Sequence, residues 1–210
     1  MTAVRLLAMR ARADFADTLA GLNAGQWLAP SLCDGWCVRD VVAHTVAYLG
    51  QTTTQLAVNM VRAWGRVDRL NARGLAAMTS ADPPALVAMM RRGIEPTGAG
   101  ALYGGRVALI ECLVHHQDVR RPLGLHWSIP EDHLRVSLNY ARVSPVIAGA
   151  RRTRGIRLVA TDIDWSAGRG PQVRGTAESL LLAITGRAAH VQADLYGDGV
   201  TLLAARQGSA

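Results

Sequence analysis

Apolar residues recur every three or four positions over much of the first 150 residues, a spacing that predicts amphipathic α-helices. Helix start and stop signals divide this region, among them Asn-Ala-Gly at 23–25 and Asp-Pro-Pro at 82–84. The segment 93–105 is rich in glycine and proline, which predicts a loop. The predicted helices cover residues 4–22, 38–49, 53–78, 85–92, 105–121 and 130–148.

The pattern changes after residue 154. Residues 156–162 and 172–175 are short β-prone stretches, and 177–185 is apolar with helical spacing. Residues 200–204 follow an Asp-Gly turn signal and are predicted to form a final strand. The sequence therefore predicts a mainly α protein, with a helical bundle over residues 1–150 and a small α+β module over residues 151–210. Four arginines mark the predicted junction as exposed: Arg151, Arg152, Arg154 and Arg157.

Composition places the chain among cytoplasmic globular proteins. Half of the 210 residues are apolar, which supports a substantial core and argues against disorder. No apolar run approaches the roughly 20 residues that cross a bilayer, and the charged N-terminal segment does not resemble a secretion signal. Three cysteines cannot all pair with one another, which fits a reducing compartment.

The net charge of +7 raises the question of nucleic-acid binding. All 23 basic residues are arginine, whereas a surface that binds phosphate normally uses lysine as well. The densest arginine cluster, over 151–157, has no interleaved aromatic residues on which bases could stack. We therefore expect neither nucleic acid nor membrane as a partner.

The cysteines are not predicted to form a site. Cys33 and Cys37 are separated by three residues, which is not the spacing of a zinc knuckle, and no second pair follows. Cys37 is expected at a helix N-cap, and Cys112 is expected to act as a small buried apolar residue.

Glu111 is the only charged residue in the apolar run 107–115. A helix that is apolar all round is buried, so this carboxylate is expected to need a cation, a proton or several hydrogen bonds. His115 lies four residues later on the same helical face, and such a pair can bind one metal ion. His44 shares a face with Val41, Ala47 and Tyr48 on another predicted helix and supplies a third ligand.

Each of these residues taken alone has a simpler explanation. A histidine on an apolar face is usually a satisfied core residue, and a buried glutamate usually accepts structural hydrogen bonds. His116 lies about 100° around the helix from His115, so it is expected to support the site or line a groove. Three further histidines are expected to be solvated: His126, His133 and His190.

Two segments resemble the signatures of a known family. Residues 36–44, Trp-Cys-Val-Arg-Asp-Val-Val-Ala-His, resemble a Gly-Trp-Thr-Val-Arg-Asp-Leu-x-x-His segment of the mycothiol-dependent maleylpyruvate isomerase family, which belongs to the DinB-like helical-bundle superfamily. Residues 111–124 resemble its second signature, and 170–175, 181–187 and 195–200 resemble its C-terminal module. The chain departs from the pattern at Cys37, where threonine is usual, and at His116, where glycine is frequent.

The resemblance implies a DinB-like four-helix bundle whose metal ligands are His44, Glu111 and His115. Zinc suits two imidazoles and a carboxylate best, with nickel, manganese or iron as alternatives. Three protein ligands leave a position open, as in catalytic sites. The implied cosubstrate is mycothiol, a low-molecular-weight thiol that would react as a thiolate with a small electrophile.

The predicted function is therefore a metal- and thiol-dependent isomerase or S-transferase. A protein that binds a metal and senses or sequesters a small molecule without turnover is the alternative. An iron oxygenase is a third hypothesis, because two histidines and a carboxylate also form its metal site. A homodimer is compatible with the sequence, which does not decide the oligomeric state.

Overall fold

The computed structural model describes residues 2–144 and 147–206. Helices make up 64% of the described residues, and a small three-stranded sheet lies near the C-terminus, so the predicted mainly α fold class is confirmed. The chain divides into two compact units, Met1–His126 and Trp127–Ala210. Among the helices of the described ranges, none combines the length and apolar character that a bilayer crossing requires.

Seven α-helices lie among the described residues of the first unit, and four of them begin with a side chain that caps the backbone. Thr2, Asn23, Thr52 and Asp82 each accept a hydrogen bond from the amide three residues later. A 3-10 segment, Gly98–Gly105, precedes the last helix. The helices are α1 Ala3–Ala20, α2 Ala24–Leu28, α3 Val38–Tyr48, α4 Thr53–Arg62, α5 Val67–Ala77, α6 Pro83–Arg92 and α7 Arg106–Arg120.

A four-helix bundle forms the core of this unit. Helices α1 and α3 each pack against both α6 and α7, which closes the bundle. Helix α7 is buried from residue 112 to residue 120, and its Leu109 and Leu113 are fully buried. Phe15 and Leu19 of α1 and Leu86 of α6 are also buried in this unit. The predicted bundle is thus present, with α7 as its most enclosed helix.

Two local predictions in this unit need correction. Asn23 does not simply end the first helix, because its side chain also caps the short helix α2. The single helix predicted over 53–78 is instead two helices, α4 and α5. Trp64 and Gly65 between them have φ values of 57° and 70°, and a left-handed backbone cannot continue a right-handed helix.

The second unit combines helices with a small sheet. Strand β1 pairs antiparallel with β2 and parallel with β3, giving the order β2-β1-β3. Two further turns of helix, Ala183–Arg187 and Ala188–Asp194, follow the helix after the sheet. The elements are α8 Glu131–Val143, α9 Gly149–Arg152, β1 Arg157–Ala160, β2 Ser166–Gly168, β3 Gln172–Gly175, α10 Ala177–Leu182 and α11 Val200–Ala205.

The predicted strand over 200–204 is wrong, because these residues begin helix α11. The chain before them already occupies the free edge of β3, where Arg174 and Tyr196 exchange backbone hydrogen bonds of 2.8 and 2.9 Å. The amide of Gly199 donates to the carbonyl of Gln172, and the chain then turns away from the sheet. A short apolar run does not by itself distinguish a strand from a buried helix.

The division between the units lies at 126/127, before α8, rather than at the predicted 150/151. Helix α8 packs against α9 and α10 of the second unit, where Leu134, Leu138 and Ala141 are buried. The predicted helix over 130–148 also includes residues 145 and 146, which lie outside the described residues. That the units fold as separate domains remains a prediction.

Candidate metal centre

Helices α3 and α7 bring the three predicted ligands together. His44 lies on the buried face of α3, and Glu111 and His115 are one turn apart on α7, which packs against α3. One ligand atom from each residue lies within 4.8 Å of the other two. The imidazole rings of His44 and His115 meet edge to face, with centroids 4.9 Å apart.

The expected burial of Glu111 is wrong, because 47% of its side chain is exposed. Residues 108–110 and 112–120 of α7 are buried, whereas Glu111 between them is exposed. The cost of burying a carboxylate therefore does not argue for a cation here. The exposure instead means that solvent reaches one of the three grouped side chains.

Asp118 determines which nitrogen of His115 faces Glu111. Its carboxylate is fully buried, and Oδ2 lies 2.9 Å from His115 Nδ1. An ionised carboxylate can only accept a hydrogen bond, so Nδ1 is the nitrogen that donates. His115 Nε2 then faces Glu111 Oε2 at 3.4 Å. A nitrogen lone pair beside a carboxylate is unfavourable unless a proton or a metal ion lies between them.

The pKa of His115 indicates that a proton can occupy the position between Nε2 and Glu111. Burial lowers this pKa, but hydrogen bonds to Asp118, Cys33 and Glu111 outweigh burial and raise it well above its ordinary value. The site therefore attracts positive charge at Nε2. A proton and a metal ion would compete for this nitrogen.

Two aromatic rings flank His44. The rings of Trp36 and Tyr48 lie 5.2 and 5.0 Å from its imidazole, centroid to centroid. The Tyr48 hydroxyl donates a hydrogen bond of 2.8 Å to Asn71 Oδ1. Burial and the negative charge of Glu111 raise the pKa of Tyr48 to about 12, so the phenol stays protonated at neutral pH. Tyr48 lies on the face of His44, as predicted, whereas no sequence pattern indicates a role for the Trp36 side chain.

His116 does not line the site, in contrast to the expectation. It is fully buried in the bundle core, stacks on Phe15 with centroids 4.7 Å apart, and places Nε2 2.9 Å from Thr18 Oγ1. Burial, together with the positive charge of Arg120, lowers its pKa to about 3. His116 is therefore a neutral core residue between α1 and α7.

The remaining histidines lie away from this group. His126 and His190 are exposed, as predicted. His133 was also expected to be solvated, but it is 3% exposed and its Nδ1 lies 2.7 Å from Asp132 Oδ1. It belongs to the second unit and takes no part in the candidate site.

Two cysteines occupy the expected positions, and the third has a contact that the sequence did not indicate. Cys37 is the N-cap of α3, and Cys112 is buried, with its pKa raised to about 12 by burial. The Cys33 thiol donates to Asp118 Oδ2 at 3.3 Å. Cys33, His115 and Asp118 form a second group of potential ligands within 4.8 Å.

The first group, His44, Glu111 and His115, fits a divalent metal. Two ligands of a tetrahedral zinc ion with bonds of ~2.0–2.1 Å are about 3.3 Å apart, close to the 3.4 Å between His115 Nε2 and Glu111 Oε2. Two imidazole nitrogens and a carboxylate suit zinc and also nickel, manganese and iron. Three ligands leave at least one coordination position for another molecule.

Comparison with known families bears on the first half of the chain. Residues 8–99 match the family model described as the mycothiol maleylpyruvate isomerase N-terminal domain. This part of the chain is similar to the N-terminal domain of that family. The family predicted from the two sequence signatures is thus confirmed. The matched segment includes His44 and ends before Glu111 and His115.

Solved structures with this fold cover nearly the whole chain. A crystal structure of the mycothiol-dependent maleylpyruvate isomerase superposes with a TM-score of 0.61 at 14% identity, over 93% of this chain and 91% of the other. The structure of a histidine-to-alanine mutant of that enzyme gives 0.60 at 15% identity, with the same coverage. At such identities the likeness establishes the fold. No curated protein matches the chain in sequence.

Proposed function

We propose that this chain is a divalent-metal-dependent enzyme that uses a low-molecular-weight thiol to isomerise a small electrophile. The observation that carries the proposal is the convergence of His44, Glu111 and His115, with His115 Nε2 turned toward the half-exposed Glu111 carboxylate. The family of residues 8–99 and the shared fold support mycothiol as the thiol and maleylpyruvate as the first electrophile to test.

The three side chains have complementary tasks in this proposal. His44 and His115 hold the metal from the enclosed side of the bundle, and Glu111 holds it from the side that solvent reaches. When bound, a divalent metal lowers the pKa of a coordinated thiol, and a change from ~8.5 to below 7 corresponds to about 2 kcal/mol. The resulting thiolate would be the nucleophile at neutral pH.

The side chains around His44 set the chemical surroundings of that nucleophile. Trp36 and Tyr48 place aromatic surface against the imidazole, which suits a small unsaturated substrate. The Tyr48 hydroxyl remains protonated and half-buried, and it would donate a hydrogen bond to a carbonyl or carboxylate of the electrophile by exchanging its present acceptor, Asn71 Oδ1. Addition of the thiolate and its later departure, with rotation between the two steps, would give cis–trans isomerisation.

The alternative is a protein that binds a metal and a small molecule without turnover. That function would be favoured by side chains that close the open coordination position. Tyr48 is half-buried and Glu111 is 47% exposed, so access to the group favours the enzyme. Metal analysis of protein purified in air would also identify iron, which the oxygenase hypothesis requires.

The test combines metal content, thiol binding and turnover. Protein purified without chelator should contain about one divalent ion per chain, and His44→Ala and His115→Ala should lose it. The exposed carboxylate of Glu95 offers a matched control, because Glu95→Gln should retain the metal where Glu111→Gln weakens it. Full metal occupancy in His44→Ala, His115→Ala and Glu111→Gln would show that these residues do not bind the metal.

Cobalt-substituted protein then tests the thiol. Mycothiol should produce a sulfur-to-metal charge-transfer band and raise the melting temperature, whereas glutathione and bacillithiol measure specificity. Turnover of maleylpyruvate with recovery of free thiol would indicate isomerisation, and a stable thioether product would indicate S-transfer. A fully loaded cobalt protein whose spectrum no thiol changes would favour the sensor or sequestration alternative.

A further inference from the structure

Asp118 has a fully buried side chain, and hydrogen-bond donors reach both its carboxylate and its backbone carbonyl. His115 Nδ1 donates to Oδ2 at 2.9 Å, and the Cys33 thiol donates to the same oxygen at 3.3 Å. The Leu32 amide donates to the backbone carbonyl of Asp118 at 3.0 Å. Burial of a carboxylate costs free energy unless hydrogen bonds compensate it, so we expect the ionised form of Asp118 to depend on these donors.

The loop that supplies two of these donors also carries Trp36 to His44. Ser31 binds the carbonyl of Trp36 twice, through its amide at 3.0 Å and its hydroxyl at 2.8 Å. The Ser31 hydroxyl in turn accepts from the Cys33 amide at 3.0 Å. These bonds make a compact turn that leaves the Trp36 ring 5.2 Å from His44. Asp118 therefore touches His115 directly and holds the turn that packs on His44.

We propose that Asp118 and Cys33 are positioning residues for the metal centre. Asp118 keeps the proton of neutral His115 on Nδ1, which leaves the Nε2 lone pair directed at the position shared with Glu111 and His44. Cys33 holds the accepting oxygen of Asp118 in place through its thiol hydrogen bond. Neither residue binds the metal. The inference rests on the proposed function, because it assigns these residues to the same metal.

Positioning of His115 should raise the metal affinity, because a misoriented side chain must be reoriented before it binds the metal. Metal-binding histidines commonly donate their second N–H to a carboxylate, and loss of that partner typically lowers metal affinity ~10–100-fold. In this chain the partner carboxylate is itself held by a thiol that is 85 residues away in sequence. The effect of Cys33 should be smaller than that of Asp118, because it acts through Asp118.

The same three side chains also offer a competing arrangement. Cys33 Sγ, His115 Nδ1 and Asp118 Oδ2 lie close enough to bind a metal themselves. The two binding modes exclude each other at Nδ1, which either donates to Asp118 or binds a metal. The distances of 2.9 and 3.3 Å are ordinary lengths for hydrogen bonds to nitrogen and sulfur. The experiment must therefore distinguish a positioning role of Cys33 from metal ligation by Cys33.

The closing experiment compares two variants at each position. Asp118→Leu removes the acceptor, and Asp118→Asn retains a neutral one. Cys33→Ala removes the donor, and Cys33→Ser retains one. Cys37→Ser is the matched control, since its thiol contacts Asp40 rather than Asp118. The readouts are the His115 tautomer, from ¹⁵N NMR of metal-free protein at a pH where the imidazole is neutral, and zinc affinity by chelator competition.

We expect neutral His115 to carry its proton on Nδ1 in the parent protein, in Asp118→Asn and in Cys33→Ser. Asp118→Leu should lose this tautomer preference, and its zinc affinity should fall ~10–100-fold. The zinc affinity of Asp118→Asn should lie between those of Asp118→Leu and the parent. The zinc affinity of Cys33→Ala should fall several-fold, whereas Cys33→Ser and Cys37→Ser should bind zinc as the parent does. If Asp118→Leu does not fold, the Cys33 pair and Asp118→Asn still give the comparison.

Three results would overturn the proposal. An Nδ1 proton and full zinc affinity in Asp118→Leu would show that Asp118 does not position His115. Equal zinc affinities in Cys33→Ala and Cys33→Ser would show that the hydrogen bond from Cys33 does not position Asp118. A charge-transfer band in cobalt protein without added thiol, lost in Cys33→Ser, would make Cys33 a ligand. A parent protein that binds no metal would instead contradict the proposed function, and the tautomer would still report on Asp118.

Discussion

His115 Nε2 lies 3.4 Å from Glu111 Oε2, one turn apart on the same helix, while the other ring nitrogen of His115 donates to Asp118. The imidazole is thus held between two carboxylates. This arrangement favours a cation at Nε2, and a proton or a metal ion can provide it. Competition between the two determines how the site responds to pH.

Zinc affinity should therefore fall as the pH falls. The metal requires neutral Nε2, and the pKa of His115 in the metal-free protein is raised well above 6.5, despite burial, by its hydrogen bonds. Proton competition should thus begin at a higher pH than for an ordinary imidazole, with about tenfold loss of affinity per pH unit below that pKa. Chelator competition between about pH 6 and about pH 9 measures it. An affinity that is flat down to pH 6.5 would contradict the raised pKa.

The metal-free protein should show the opposite dependence in its stability. A histidine with a raised folded pKa contributes stability that is fully present below the unfolded pKa of 6.5 and is lost as the pH rises through the folded value. Thermal unfolding of the metal-free parent and of His115→Ala separates this contribution from those of other groups. Zinc should restore the stability that is lost at higher pH.

His116 should make the bundle sensitive to acid. Its pKa is lowered to about 3, so the neutral ring is favoured in the folded core, and this contribution to stability is lost as the pH falls from 6.5 toward 3. The expected slope is about 1.4 kcal/mol per pH unit for one proton. His116→Phe keeps an aromatic ring beside Phe15 and should be less sensitive to acid. His126→Phe, at an exposed position, should not change the slope.

Gly98 should tolerate no side chain. Its φ is +52°, and a Cβ atom would lie 2.1 Å from the carbonyl oxygen of Gln51, so the backbone would have to move. Gly35 also has a positive φ, +75°, but open space surrounds the position of its Cβ. Gly35→Ala should cost ~1–2 kcal/mol through the left-handed backbone, and Gly98→Ala should cost more. Chemical denaturation of the two variants tests the difference, and equal costs would contradict the close approach.

The helices of the bundle could be predicted because each has a wide apolar face and clear end signals. Positions such as Phe15 and Leu109 follow the helical period, and the structure buries both. The break at Trp64 was missed because nothing in the local sequence requires a left-handed tryptophan. The helix at 200–205 was mistaken for a strand because six apolar or small residues suit either structure, and a neighbouring segment at Tyr196 decides between them.

The grouping of the three candidate ligands could be predicted from the i, i+4 spacing on one helix and a histidine on a second apolar face. The exposure of Glu111 could not, because its sequence neighbours on both sides, Ile110 and Cys112, are apolar and buried and give no sign of an exposed position between them. The contact of Cys33 with Asp118 joins positions 85 residues apart and has no local pattern. Such contacts are set by the packing of the loop before α3 on α7.

A truncation experiment follows from the position of α8. A chain that ends at residue 126 retains the four bundle helices and all three candidate ligands, whereas a chain that ends at residue 150 also carries α8 without α10. The apolar face of α8, with Leu134 and Leu138, would then be exposed. We expect the shorter chain to be monomeric and to unfold cooperatively, and the longer chain to aggregate. Size-exclusion chromatography and thermal unfolding compare them, and a better-behaved longer chain would support the boundary at 150/151.

Substitution of Glu111 by glutamine separates the charge of this residue from its size. Glu111→Gln keeps the length of the side chain but removes the negative charge that helps to raise the pKa of both His115 and Tyr48. The pKa of His115 in metal-free protein should therefore fall, and zinc affinity should fall as well, because an anionic ligand is lost. A lower pKa of His115 would reduce competition from the proton and favour zinc binding, whereas the loss of an anionic ligand would weaken it. The pKa and the zinc affinity must therefore be measured separately.

The pKa of His115 is available from the pH dependence of its ring resonances in metal-free protein, and zinc affinity from chelator competition at a pH above that pKa. Glu95→Gln removes another exposed carboxylate of the same unit and should change neither quantity. A lower pKa with unchanged zinc affinity would mean that Glu111 stabilises the imidazolium without binding the metal. The metal would then have two protein ligands in the first group, and a catalytic site would need a third from elsewhere in the chain.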